Sequence, residues 1–401
     1  VEKLPKNADK DAEIAANGVD IMKFVLAPDS FKGSLSAEGV CRAMEGGIRR
    51  VFPEALIEAV PMGDGGEGTM ASLMSAKGGR KARAAALDPL GREIEAEYGI
   101  LELDGSPTAY IEMAAASGLE LIRPEERNPL DTSTYGTGQL IRHALDQGIR
   151  RFIIGLGGSA TNDGGAGMMQ ALGLRLLDGQ GRELPPGGAS LLKLERIDAD
   201  TLDPRIRESE FTAACDVTNP LIGPNGASRV FGPQKGASPG DVALLDRALA
   251  RYADKIAEAG FPDVREAPGS GAAGGMGAAL LAFLGARMLS GIEMVLEATG
   301  FRGLLSGADL VLTGEGRLDG QTLQGKVIRG VCRAAREAGV PVVALCGSVN
   351  LTGGQMDELG LAACFSLVGG PCSLDEAISR AETWIADRAE QIMRLLRVRM
   401  Q

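Results

Sequence analysis

Four loops of this 401-residue chain carry residue types that could do chemistry. APDSFKGS from Ala27, PMGDGGEG from Pro61, GLGGSATNDGGAG from Gly155 and TGEGRLDGQTLQGK from Thr313 each mix glycine with Asp, Glu, Lys, Ser or Asn. Glycine permits close backbone approach and positive φ, and exposed N–H groups can cradle an anion. Carboxylates in such loops can hold Mg²⁺ or accept a proton from a substrate hydroxyl. One such loop alone reads as a tight turn. Four with the same chemistry read as a site for an anion and a metal.

Two stretches come close to well-known fingerprints. Gly155, Gly157 and Ala160 spell G-x-G-x-x-A after an apolar run, with Asp178 at a ribose-contact distance, which would suit an NAD-dependent oxidoreductase. Asn162, Asp163, Gly164 and Gly165 prolong that loop where the fingerprint needs its helix already begun. Gly320 to Lys326 spell G-x-x-x-x-G-K, but Val327 stands where a P-loop needs Ser or Thr for Mg²⁺. Lys326 still opens a predicted helix, whose N-terminus favours anions, although a solvated lysine would show the same spacing. CDVTNP places Asp216 and Asn219 where either an Asx turn or a polar contact fits. FGPQKGAS offers Lys235 in a Gly/Pro loop, where a solvated lysine is the default. GSGAAGGMG from Gly269 suits a phosphate-binding turn or a close helix packing site.

The elements that must position these loops alternate between strand and helix. Phe24 to Ala27 and Leu56 to Val60 read as strands, separated by apolar residues at helical spacing (Val40, Ala43, Met44, Gly47, Ile48, Val51). Beyond Gly79 the texture changes to turn-separated segments that look antiparallel, such as EIEAEYGILELDGSPTAYIEMA. Residues 137–147 suit a helix stopped by Gly148, and FIIGL from Phe152 a buried strand. Strands are expected at Phe211–Ala214, Leu310–Leu312, Pro341–Leu345 and Cys364–Val368. Ser373 and Glu376 spell a capping box for a last helix reaching about Leu396. Alternating βα units predict a parallel sheet with helices on both faces, and ligands then gather at the carboxyl ends of the strands. The expected class is α/β. A Rossmann-like, doubly wound domain (22–79 and 288–401) is interrupted by a larger mixed α/β domain (80–287). Residues 1–21 are expected to be a disordered extension ahead of a natural start at Met22.

Composition narrows the partners. A net charge of -11 excludes a broad nucleic-acid footprint, although an anionic nucleotide can still bind a local site of N–H groups, lysine and metal. The six cysteines form no CxxC pair and His143 is the single histidine, so neither a disulfide framework nor a zinc site is expected. No apolar run reaches the roughly 20 residues of a membrane span, and the start lacks a signal-peptide core. A cytoplasmic protein without membrane partners is expected.

Taken in order, APDSFKGSLSA, PMGDGGEGT, GLGGSATNDGGAGMMQALG, ACDVTNPL, FGPQKGA and TGEGRLDGQT with GK resemble the bacterial glycerate kinase family. This is the type that acts on glycerate from glycolate, glucarate or galactarate breakdown. The resemblance runs from Met22 to about the last helix. It implies D-glycerate and ATP as substrates, Mg²⁺, and an active site in a cleft between the two domains. It also implies 2-phosphoglycerate as the favoured product over 3-phosphoglycerate, and admits a homodimer. General phosphoryl-transfer chemistry then suggests roles. Gly157, Gly158 and Ser159, with Asn162 and Lys235, are candidates for the nucleotide. Asp29, Ser30, Lys32, Glu315 and Arg317 are candidates for glycerate, Arg317 through a bidentate carboxylate grip. Asp64, Asp163, Asp216 and Asp319 form the pool for metal and base. Asp64, Asp319 and Lys326 are the first choices for catalysis, and Asp163 and Asp216 for the metal. A kinase of another small hydroxy acid and the oxidoreductase above are the alternatives.

Overall fold

The computed structural model describes residues 21–31, 33–63, 69–70, 73–74, 78–318 and 327–400. They divide into two compact units, one within 1–64, 71–76 and 295–401, the other within 65–70 and 77–294. In chain order, the first unit begins with β1 (Lys23–Leu26), α1 (Ala37–Arg49) and β2 (Leu56–Ala59). The second unit then contributes β3 (Gly79–Leu87), β4 (Glu93–Leu103), β5 (Ser106–Glu112), α2 (Tyr135–Asp146), β6 (Arg151–Gly155) and α3 (Ala166–Ala171). It continues with β7 (Arg175–Leu177), β8 (Arg196–Asp198), β9 (Glu210–Ala214), α4 (Pro239–Glu258), α5 (Ala272–Leu284) and β10 (Arg287–Leu289). The first unit resumes with β11 (Leu310–Leu318), α6 (Val327–Glu337), β12 (Val342–Val349), α7 (Gly353–Leu359), β13 (Ala363–Ser366) and α8 (Leu374–Met400).

The first unit is built on a parallel sheet in the order β13-β12-β11-β1-β2. Its central strands carry buried apolar runs, Phe24–Leu26, Leu310–Leu312 and Val342–Leu345, because both faces are covered there. On one face Phe24, Leu26, Leu310, Leu312 and Leu345 pack with Val40, Met44 and Ile48 of α1 and Ile385, Ala389 and Met393 of α8. Each such side chain, fully buried, contributes roughly 1.5–3 kcal/mol relative to exposure. Ser36 accepts the Gly39 N–H at 3.2 Å and so fixes where α1 starts. The chain leaves β1 towards β2 on one side and leaves β11 towards β12 and β13 on the other. The carboxyl ends of β1 and β11 therefore flank the topological switch point, where open α/β sheets place ligands.

The sequence led to a short strand at Leu310–Leu312 followed by a loop. The strand instead runs nine residues to Leu318, because Glu315, Arg317 and Leu318 continue the ladder opposite Cys346, Ser348 and Val349. Gly314 makes this possible: a Cβ there would lie 2.0 Å from the Leu345 carbonyl oxygen.

The second unit holds a six-stranded mixed sheet, β10-β9-β6-β5-β4-β3. β3, β4 and β5 pair antiparallel, as the turn-separated texture of that segment suggests, and β5, β6, β9 and β10 pair parallel. Asp104 (φ 51°) and Gly105 (φ 72°) make the tight β4–β5 turn, which needs positive φ at both positions. One core joins Tyr98, Phe152, Ile154 and Phe211 of the sheet to Leu140 of α2, Leu249 and Tyr252 of α4 and Leu280 of α5.

Candidate active site

In the first unit, the loop after β1 continues alongside β11. Ala27 N–H donates to the Leu312 carbonyl and Asp29 N–H to the Gly314 carbonyl, both at 2.8 Å, and Thr313 Oγ1 donates to the Ala27 carbonyl at 2.8 Å. This ties the Asp29–Ser30 turn to the strand that carries Glu315 and Arg317. Asp29 Oδ1 accepts the Ser30 N–H at 2.6 Å, and both residues are half-buried. Glu315 is 7% exposed, whereas Arg317, two positions on, is exposed. The structure thus brings Asp29, Ser30, Glu315 and Arg317 to the carboxyl ends of two neighbouring strands. Lys32, Asp64, Asp319 and Lys326 lie outside the described residues, as does the Gly320–Lys326 stretch.

In the second unit, the loop that follows β6 is braced from behind. Gly157 and Gly158 are exposed, and among the described residues no acceptor meets either N–H. Ser159 pairs with Gly118 through a single antiparallel bridge, with the Leu119 N–H on the Gly158 carbonyl and the Ala160 N–H on the Ser117 carbonyl. Exposed glycines with unpartnered N–H groups on a pinned loop can receive an anionic oxygen. Asn162 is fully buried, and its Nδ2 donates to Ser228 Oγ at 2.9 Å.

Asp163 is wholly buried and works as a hub. Its Oδ2 accepts from Thr134 N (2.8 Å), Thr134 Oγ1 (2.9 Å) and Gly167 N (3.2 Å), and its Oδ1 from Gly165 N (3.0 Å). Burial pushes this carboxyl up from its ordinary range, against the four hydrogen bonds that hold it down. A carboxylate so surrounded by donors suits a loop brace better than a metal ligand.

Lys235 departs from the solvated lysine its Gly/Pro loop suggests. It is 1% exposed, and its Nζ donates to Ser159 Oγ and to the Thr161 carbonyl, each at 2.7 Å. Burial pushes it down to about 7, while the nearby Asp163 charge opposes that shift. Behind the loop, α5 comes very close: a Cβ on Gly274 would sit 2.0 Å from the Thr161 carbonyl oxygen. Ala273, Gly274 and Gly275 stand at positive φ, so this part of GSGAAGGMG is a turn ahead of the helix that packs closely on the loop.

Asp216 is exposed beyond β9, and its Oδ1 accepts the Gly291 N–H at 2.7 Å. Asn219 donates to the Asn225 carbonyl at 2.8 Å. Asp178 is a turn residue, accepting the Gln180 and Arg182 N–H groups and pairing with the Arg182 guanidinium. The helix after the β6 loop does not start until Ala166, preceded by Gly164 and Gly165 at positive φ. This dinucleotide fingerprint therefore lacks both its helix and its ribose carboxylate. Among the described residues no group of three or more His, Cys, Asp or Glu side chains gathers as a cation site.

Thr134 escaped notice in the sequence. The run Thr132, Ser133, Thr134, Thr137 is buried, and Thr132 Oγ1 donates to the Ala160 carbonyl at 2.9 Å. Four hydroxyl residues around a helix start resemble ordinary capping. Only their density hinted at a brace for another loop.

Comparison with known proteins identifies the family. Residues 24–397 match the model of the glycerate kinase family. The chain is 50% identical over 369 residues to a glycerate kinase of Halalkalibacterium halodurans, covering 92% of this chain and 96% of that one. It is 49% identical over 380 residues to a glycerate 2-kinase of Escherichia coli, covering 95% and 99%. A crystal structure provisionally described as glycerate kinase 2 from Salmonella typhimurium LT2 superimposes with a TM-score of 0.87 at 48% identity, covering 95% of this chain and all of that one.

Proposed function

As a member of the glycerate kinase family this chain is an ATP-dependent phosphotransferase acting on glycerate, and we propose that it delivers the phosphoryl group to the 2-hydroxyl of D-glycerate. The relative named as a 2-kinase, matched over 95% of this chain, supports that position. The observation that carries the site reading is the Gly157–Ser159 loop, whose exposed glycine N–H groups meet no acceptor among the described residues while Lys235, Asp163 and α5 brace it.

In this reading Gly157, Gly158 and Ser159 take nucleotide phosphate oxygens through N–H groups that are already oriented. A pre-oriented donor costs no reorganisation as charge develops in phosphoryl transfer. Asn162 and Lys235 serve the nucleotide from within the loop's support. Asp29, Ser30, Lys32, Glu315 and Arg317 hold glycerate, with Arg317 gripping its carboxylate. Asp64 or Asp319 takes the hydroxyl proton, and Lys326 neutralises charge on the transferred group. Mg²⁺ belongs to this reading, with protein ligands from Asp64, Asp319 or Asp216, while Asp163 braces the loop. The two sets of loops come from different units, and we assign both to one reaction. A cytoplasmic location and a homodimer complete the proposal.

Replacing Asp64, Asp319 or Lys326 by alanine tests the assignment. Each change should cut glycerate-dependent ADP release by roughly a hundredfold or more, with an unchanged urea unfolding midpoint. Near-normal turnover in all three variants contradicts the site.

A further inference from the structure

Serine hydroxyls in anion-binding loops can turn either way, as donors or as acceptors. Ser159 cannot while Lys235 is protonated. The ammonium of Lys235, its form below about pH 7, has only hydrogens to offer, and at 2.7 Å it occupies Ser159 Oγ as an acceptor. The hydrogen of Ser159 is then left to donate, and among the described residues no acceptor takes it. Ser159 is 9% exposed and directly follows the exposed Gly157 and Gly158, so this donor lies at the base of the same loop. The second Lys235 contact, to the Thr161 carbonyl, fixes the loop two residues further on. Lys235 is held in turn by its own element. It ends the short turn Pro233–Lys235, and Gly236 follows at φ 98°, packed so tightly that a Cβ would meet the Arg127 carbonyl oxygen at 2.4 Å.

We propose that Lys235 is a positioning residue: it commits the Ser159 hydroxyl to donate to an acceptor oxygen of the bound nucleotide phosphate, without touching the nucleotide itself. This rests on the reading that the Gly157–Ser159 loop takes those phosphates. It differs from the role usual for a lysine in a phosphate site, which is a direct point charge on the anion. At 1% exposure, with two of its three hydrogens bound to the loop, Lys235 acts through Ser159. A neutral donor would orient Ser159 more weakly, because charge-assisted hydrogen bonds are roughly twice as strong as neutral ones.

A double-mutant cycle on the full chain at pH 6, where Lys235 keeps its proton, decides this, read by the KM for ATP against kcat and by direct ATP binding in calorimetry. S159A should raise KM for ATP roughly tenfold, the effect of losing one hydrogen bond to a charged group. Lys235→Met should raise it similarly, and the double variant should be no worse than S159A alone. Effects that multiply, or a K235M variant with unaltered KM for ATP, would overturn the inference while leaving the nucleotide loop in place. If S159A itself changes neither KM for ATP nor binding, the loop is not the nucleotide site and the inference falls with that reading. Should K235M not fold, Lys235→Gln keeps one N–H for Ser159 without the charge. It enters the same cycle, with a smaller expected rise in KM and the same criterion of non-additivity.

Discussion

Asp163 accepts four hydrogen bonds in a fully buried position, which makes it the residue whose chemistry is most constrained. In Asp163→Asn, one oxygen becomes an NH₂ that faces donors. The charge that helps hold Lys235 is also lost. The change should destabilise the protein by about 2–4 kcal/mol, measured by urea unfolding. An unchanged midpoint would contradict the hub. Lys235 gives a prediction with a pH sign. Burial holds it at about 7 against an ordinary value of 10.5, so between those values the unfolded chain binds the extra proton. Its contribution to folding therefore rises with pH across that window. The stability of the wild type relative to K235M should grow from pH 7 to pH 9, and a flat difference would count against a buried, downshifted lysine. At this scale the sequence was legible where residue type and position suffice, as in the exposed glycines Gly157 and Gly158 after β6. It was not legible where burial decides. A lysine between Gly/Pro residues looks solvated whether or not the loop folds inward, and Thr134 looks like any hydroxyl before a helix.

Elements were easier to read than their limits. The antiparallel β3–β5 segment and the strand at Phe152 followed from local pattern, because turn separation and apolar runs are local. The extension of β11 to Leu318 was hidden, because TGEGRL is glycine-rich and charged. Its strand character comes from pairing with β12, a partner distant in sequence. That pairing gives an element-scale prediction. In Gly314→Ala the new Cβ meets the Leu345 carbonyl oxygen at 2.0 Å, so β11 and β12 must separate. Glu315 and Arg317 would shift with the strand. Amide hydrogen exchange should speed up at Glu315–Leu318 and Val349, and KM for glycerate should rise. Wild-type exchange and KM would show that the ladder tolerates the methyl and that the pairing does not place these residues.

Across the whole molecule, sequence and structure agree on an α/β protein with parallel sheets, and the family match spans residues 24–397. Among the described residues, no helix is long and apolar enough to cross a membrane. Residues 1–20 lie ahead of the family match, so a chain starting at Ile21 should keep kcat within about twofold of the full chain. A larger loss would give that segment a part in the reaction. The sequence could rank loops by chemistry, but the substrate came from their ordered combination, since anion cradles of this kind serve many phosphates. The most direct test of the central claim is therefore the product. The protein is incubated with D-glycerate, ATP and Mg²⁺, and the product is assayed with and without enolase, which consumes only the 2-phospho isomer. The account predicts glycerate-dependent ADP release and a phosphoglycerate that enolase removes. A product that enolase leaves intact would contradict the proposed position, and no product from glycerate would contradict the function itself.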